Sequence, residues 1–275
     1  MPIIAITREM GTLGKDVAVG LGDALGLPVV YHEVIDQLAD RMRVRKSHVV
    51  RLLDGKAGLF ERLTADKTSM AILTADEILG VALQGRGAII RGWGATHLLR
   101  EVPHAVCVRV CAPFQLRKRR MMQRLNTDDA GKVSDEIQCN DEAHGAIMRR
   151  HFDLRWTDPE HYDLVLNTQR VGVDKCVDEV MALVRSPAFA ETEESHQQLE
   201  DLALTARVRA ALRRAPETRD TKASVASHAG RVTLSGDLST DKLLAAVEVV
   251  ASVPGVCDFD YRVHAPEQAA APQVH

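Results

Sequence analysis

The chain is 275 residues long, enough for one large domain or for two unequal ones. Apolar residues make up 45% and charged residues 27%, as in a soluble globular protein, and a net charge of −3 supplies no global field that would recruit nucleic acid or an anionic membrane. Cys107, Cys111, Cys139, Cys176 and Cys257 form no C-x-x-C pair and leave one over in any pairing, which argues against a disulfide framework or zinc and for reduced thiols.

No apolar run approaches the length of a membrane span. Met1-Pro2 passes straight into a strand without a basic segment and an apolar signal core, so a cytoplasmic protein is expected. The opening stretch organises the rest. Ile3-Ile4-Ala5-Ile6 runs through Thr7-Arg8-Glu9-Met10 into Gly11-Thr12-Leu13-Gly14-Lys15-Asp16, and a helical pattern follows at Val17, Ala18, Leu21 and Leu25. A buried strand leading through Gly-x-x-Gly-Lys into a helix can bring a phosphate to free N–H groups and to the positive end of the helix dipole. A strict phosphate loop has a glycine where Glu9 stands and a hydroxyl residue where Asp16 stands. The bland alternative is a glycine turn between an ordinary strand and an ordinary helix.

Gly26-Leu27-Pro28 stops that helix before Val29-Val30-Tyr31, giving the strand, helix, strand order of a crossover unit. Helices are expected from Glu33 to Arg43, Ser47 to Leu53 and Ser69 to Leu83. Ala88-Ile89-Ile90 is a strand leading into Arg91-Gly92-Trp93-Gly94, and Ala105 to Cys111 is another. These runs are nearly continuously apolar, as in a parallel sheet covered on both faces. Helices are predicted over Phe114–Leu125, Ser134–Phe152 and Val173–Val184, with a strand over Tyr162–Leu166, so a layered α/β domain is expected to end near Arg185. Residues 186–198 are acidic and read as a linker. Beyond them, a helix over Leu199–Leu212, strands over Ala223–His228 and Arg231–Ser235 about a turn at Gly230, a helix over Thr240–Val253 and a strand over Val256–Val263 make a small αββαβ unit. Residues 266–275 read as a flexible tail.

Several motifs carry a family resemblance. Residues 1–185 resemble the cytidylate kinase-like branch of the nucleoside monophosphate kinases: Thr7-Arg8-Glu9 stands before the glycine loop, Ala112-Pro113 is followed by Arg117, Arg120, Met122 and Arg124, and Trp156, Asp158-Pro159, Tyr162-Asp163-Leu164 and Asn167-Thr168 follow in family order. The resemblance implies a P-loop NTPase-like parallel sheet flanked by helices, nucleotide substrates, and ATP and Mg²⁺ as cofactors. It also implies roles for single residues. Gly11, Thr12, Leu13, Gly14, Lys15 and Asp16 form the ATP-phosphate loop, with Thr12 and Asp16 as candidate metal ligands. Arg117, Arg120 and Arg124, on one helix face, and Arg149 and Arg150, from the next helix, close over the phosphates with Lys15, and Glu33, Arg91 and Trp93 face the acceptor. Trp93 stands where relatives usually have arginine, Tyr31 where they often have aspartate, and His144 where they often have arginine.

The basic run from Arg117 to Arg124 contains no acidic residue, so it calls for anions. No aromatic residues interleave with it, which argues against a nucleic-acid patch. The histidines show no metal-ligand spacing. Residues 199–265 resemble a BON domain, through Gly230-Arg231-Val232-Thr233-Leu234-Ser235-Gly236 and Val253-Pro254-Gly255-Val256. That resemblance implies a small α+β binding module without catalytic residues, whose partner is a small ligand, a lipid or a protein. Two functions follow: an ATP-dependent kinase of a nucleoside monophosphate such as cytidylate with a regulatory or docking module, or a nucleotide-binding sensor that has kept the fold without turnover.

Overall fold

The computed structural model describes residues 2–31, 39, 41, 67–92, 94–152 and 154–263, with backbone only at 67, 150 and 151. Glu33, Trp93, the helices expected over 33–43 and 47–53, and the tail at 266–275 lie outside the described residues. The chain divides into two compact units, Met1–Leu199 and Glu200–His275.

In the first unit the elements run β1 (Ile3–Arg8), α1 (Gly14–Leu25), β2 (Val29–Val30), α2 (Lys67–Ala82), β3 (Ala88–Arg91), α3 (Ala95–Leu98), β4 (Ala105–Cys111), α4 (Phe114–Leu125), α5 (Ala130–Phe152), β5 (Leu164–Asn167) and α6 (Val173–Val184). The five strands form a wholly parallel sheet in the order β2-β3-β1-β4-β5. Ile4 lies in register with Ile89 on one side and Val106 on the other, so the centre of the sheet is a band of branched apolar side chains. Ile4, Ile6, Val106, Val108 and Val110 face Val17, Ala18 and Leu21 of α1 and Val180 of α6. The opposite face packs under α2 and α3. With both faces covered, each strand is apolar without alternation. Parallel strands bring their carboxyl ends to one edge, so Arg8 and Arg91 finish β1 and β3 side by side there.

Several boundaries depart from those expected. Helix α5 begins four residues before Ser134 because the Asp129 carboxylate accepts from the Lys132 amide at its start. Within residues 186–198, Pro187–Phe189 form a 3-10 turn and a helix, α7 (Glu193–Arg214), starts with the Thr192 and Ser195 side chains each accepting from the other's amide. All five cysteines are free; burial keeps the Cys107 thiol protonated, its pKa pushed up to about 12.

The second unit contains the rest of α7, then β6 (Ala223–His228), β7 (Arg231–Gly236), α8 (Thr240–Ala251) and β8 (Asp258–Arg262), the expected αββαβ order. Strand β7 is central, antiparallel to β6 and parallel to β8. Leu204, Val208 and Leu212 of α7 close on Val232 and Leu234 of β7 and on Ala246 and Val250 of α8. The β6-β7 turn puts both Ala229 and Gly230 at positive φ, 47° and 81°, the twist a two-residue hairpin requires. The Asp201 carboxylate accepts from the Ala229 amide and steadies that turn.

No helix among the described residues is long and apolar enough to cross a membrane.

Leu21 is fully buried between α1 and the sheet. Leu21→Ala is expected to cost about 2–5 kcal/mol through lost transfer energy and the cavity left behind, read as a lower urea midpoint with an unchanged slope.

Candidate active site: a glycine loop beside a cleft

The loop between β1 and α1 is anchored at Glu9. Its amide donates to the Val110 carbonyl at 3.3 Å, and its own carbonyl accepts the Thr12 hydroxyl at 2.8 Å. Its side chain leaves the loop for β4 and α4: one carboxylate oxygen takes Arg109 at 2.6 Å, and the other lies 3.4 Å from the Ala112 amide and 3.5 Å from the Arg117 guanidinium. Arg109 also donates to the Thr157 carbonyl and lies 5.5 Å from the Trp156 ring centre. An arginine inside an apolar strand is costly unless paired, and Glu9 supplies the partner.

Beyond Glu9 the loop adopts conformations that side chains resist. Gly11 has φ 81°, and a Cβ on it would sit 2.8 Å from the Arg117 carbonyl. Leu13 is left-handed at φ 63° although it is not glycine, strain of about 1–3 kcal/mol of the kind found where a binding loop is held in shape. The bend directs Asp16 and Val17 amides onto the Leu13 carbonyl, while the amides of Gly11, Thr12, Leu13, Gly14 and Lys15 meet no acceptor among the described residues. These five donors with the helix dipole behind them suit a polyphosphate. Lys15 and Asp16 are both exposed at this end of α1.

The expected phosphate-closing arginines divide into two sets. Arg117 is 6% exposed and bonded to both Asp141 oxygens, at 3.2 and 2.8 Å, and to the Met10 carbonyl. Arg120 donates to the Thr168 hydroxyl and carbonyl, and that hydroxyl donates to the Thr12 carbonyl. Both therefore hold the loop from behind instead of reaching over it. Arg124 and Arg149 are exposed and make no ion pair among the described residues, and of Arg150 only the backbone is described. Thr12, expected as a candidate metal ligand, is fully buried with its hydroxyl spent on the Glu9 carbonyl, whereas Asp16, the other candidate, is exposed.

Beside the loop, at the carboxyl edge of the sheet, lies a cleft partly open to solvent. Thr7 and Arg8 of β1, Tyr31 after β2 and Arg91 with Gly92 after β3 line one wall; Met70, Ala71 and Thr74 of α2 and Asn140, His144, Ile147, Met148 and Phe152 of α5 line the other. Among the described lining residues none is acidic. Arg91 is only 7% exposed, lies 4.2 Å from the centre of the Tyr31 ring, and has its Nε buried without a partner. Burial first, and then Arg8, lower its pKa, while Tyr31 and the more distant Asp16 oppose the shift. Phe152 packs where a Cβ on Gly94 would lie, at 2.8 Å, and stacks on His97 at 4.5 Å. His144 faces the cleft with Nε2 3.4 Å from the Thr7 hydroxyl and its ring edge-on to Trp156 at 4.3 Å. Burial, reinforced by Arg8 and Arg109, pushes its pKa down to about 4.

In the sequence Arg8 stood out only as part of a motif and His144 only as a departure from relatives; Arg109 and the other wall residues of α2 and α5 were not singled out. The available signals were an arginine ending a buried strand and another inside one. Although the histidines show no metal spacing, folding brings Asp158, Glu160 and His161 within 4.8 Å of one another, with Asp158 already bonded to Arg155.

A glycine loop at the carboxyl edge of a parallel sheet, next to a half-open cleft, defines a P-loop kinase-like α/β domain. Residues 3–170 match the cytidylate kinase-like family and residues 200–258 match the BON domain. The chain belongs to the cytidylate kinase-like family. No curated protein matches it. Among solved structures, it is similar to an uncharacterized protein from Eubacterium ventriosum, at 20% identity and a TM-score of 0.53 over 68% of this chain and 99% of the other. It is also similar to a shikimate kinase from Bacteroides thetaiotaomicron, at 16% identity and a TM-score of 0.41 over 66% and 98% of the two chains. At these identities the likeness is one of fold.

Glu9→Gln keeps the shape of the anchor but leaves Arg109 and Arg117 without their shared charge. The expected cost is about 3–5 kcal/mol in urea unfolding, far above the few tenths expected at an exposed acid.

Proposed function

We propose that the chain is an ATP- and Mg²⁺-dependent nucleoside monophosphate kinase, cytidylate being the first acceptor to test, and that the BON unit regulates or docks it. The observation that carries this reading is Arg91: a guanidinium 7% exposed, without a carboxylate partner among the described residues, in a cleft that adjoins the glycine loop. A buried cation kept unpaired calls for an anionic ligand. The apolar wall of Met70, Ile147, Met148 and Phe152 suits a flat ring beside that anion.

In this reading the amides of Gly11 to Lys15 hold the donor's phosphates and Lys15 neutralises the transferred group. Arg124 and Arg149, which are exposed and make no ion pair among the described residues, supply closing charge, with Arg150 next to Arg149 on α5. Arg117 and Arg120 contribute as positioning residues that fix the loop. Phosphoryl transfer needs this positioning and charge neutralisation more than covalent participation. The loop fits a bound Mg²⁺ through Asp16 together with waters and substrate oxygens, the coordination this cation favours. The bound ion supplies charge neutralisation on the phosphates. Glu9, whose charge would oppose phosphate at this position, is neutralised by Arg109 and Arg117.

A second reading, a nucleotide-binding sensor without turnover, is favoured by the Thr12 hydroxyl, which is turned inward onto Glu9. ADP release from ATP and Mg²⁺ with each nucleoside monophosphate separates the two. The kinase reading expects turnover that Lys15→Ala abolishes. Arg91→Ala is expected to raise the acceptor KM about 10–100-fold, the worth of one charge-assisted contact, with the ATP KM nearly unchanged. Nucleotide binding without ADP release selects the sensor.

A further inference from the structure

We propose that His144 is a proton-switched anion reader: its neutral imidazole takes a proton from solvent and hydrogen-bonds the acceptor's anionic group when that group enters the cleft shared with Arg8 and Arg91. This rests on the cleft being the acceptor site. No substrate bond forms or breaks in the step, and the proton returns to solvent when the anion leaves.

The charges around the ring set the direction. From β1 it faces Thr7 and Arg8, from β4 Arg109, and from the segment after α5 the edge of Trp156; Arg91 lines the same cleft from β3. On its own helix Asn140, Ile147 and Met148 are its companions in the wall. The two acids nearby are already engaged, Glu9 by Arg109 and Asp141 by Arg117. Burial first, and then the positive charge of Arg8 and Arg109, keep His144 uncharged in the free protein, and no free carboxylate faces it among the described residues. A dianion in the cleft reverses the sign of that field. The same ring then changes from a neutral hydrogen-bonding group into a third cation. By linkage, whatever anion raises the histidine's pKa must itself bind more tightly as the pH falls. A neutral acceptor gains nothing from this switch, so His144 selects for charge without a permanent third cation in an already positive cleft.

Sulfate is a suitable probe because it stays doubly charged across the whole range. In the full chain, the His144 Cε1–H proton is followed by NMR from about pH 7.5 to about pH 3.5, with and without saturating sulfate. The expected result is an upward shift of at least about two units in the His144 midpoint, with sulfate affinity rising up to about tenfold for each unit as the pH falls from the bound to the free midpoint. His144→Gln, or His144→Asn should the first variant fail to fold, is expected to flatten that dependence. Lys15→Ala is expected to leave it unchanged, which separates the cleft from sulfate held at the loop. A His144 midpoint unmoved by sulfate overturns the proposal, and so does a pH slope that survives both substitutions or disappears in Lys15→Ala. Absence of ADP release with a moving His144 rejects the kinase reading alone; turnover with an unmoved His144 rejects this proposal alone.

Discussion

The structure of the site depends on a buried carboxylate shared by two buried guanidiniums. Glu9, Arg109 and Arg117 have side chains 8–12% exposed, so their charges are largely removed from water, and they persist because each is neutralised by another. Through this cluster the end of β1 is tied to the middle of β4 and to the first turns of α4. Thr12 then bonds back to Glu9, and Thr168 ties Thr12 to Arg120. The phosphate loop is thus braced from behind on three sides, and that bracing offsets the strain of a left-handed Leu13.

This explains the departures from a regular phosphate-loop pattern. A glycine in place of Glu9 would leave Arg109 without its carboxylate and Arg117 with Asp141 alone; with glutamate there, the negative charge is taken up by these two guanidiniums. Likewise, a hydroxyl at Thr12 serves the loop's own backbone. The loop replaces conformational freedom with fixed anchoring, and the exposed groups left at the helix start are Lys15 and Asp16.

Much of the fold was legible because it depends on local pattern. The bounds of α4, α6 and β6 follow from periodicity alone, and the nearly unbroken apolar runs reported a sheet covered on both sides. The one-turn helix α3 was not legible, since four residues cannot show a period. The early start of α7 was hidden by acidic residues that read as linker but suit the first turn of a helix, where they meet the positive end of its dipole. Arg91 was legible because a strand end in an open parallel sheet is where ligands lie. The inward turn of Arg117 was not. Helical spacing places it on a face, but which face is buried depends on Glu9 and Asp141, remote in sequence. The cleft's second wall was equally hidden, because it needs α2 and α5 brought opposite the strand ends.

Helix α5 connects the two halves of the site. Asp141, His144, Met148 and Phe152 recur at three- and four-residue steps and so share one stripe of the helix. The first holds Arg117 and through it Glu9 and the loop; the other three line the cleft. The brace of the phosphate loop and the wall of the cleft are consequently parts of one rigid element. A shift of α5 large enough to reshape the cleft must also strain the Asp141–Arg117 pair, and an ordered loop keeps the cleft wall in place. The two substrates of a transfer reaction have to be aligned to within a fraction of an ångström. A single helix spanning both pockets provides that alignment without a contact between the ligands themselves.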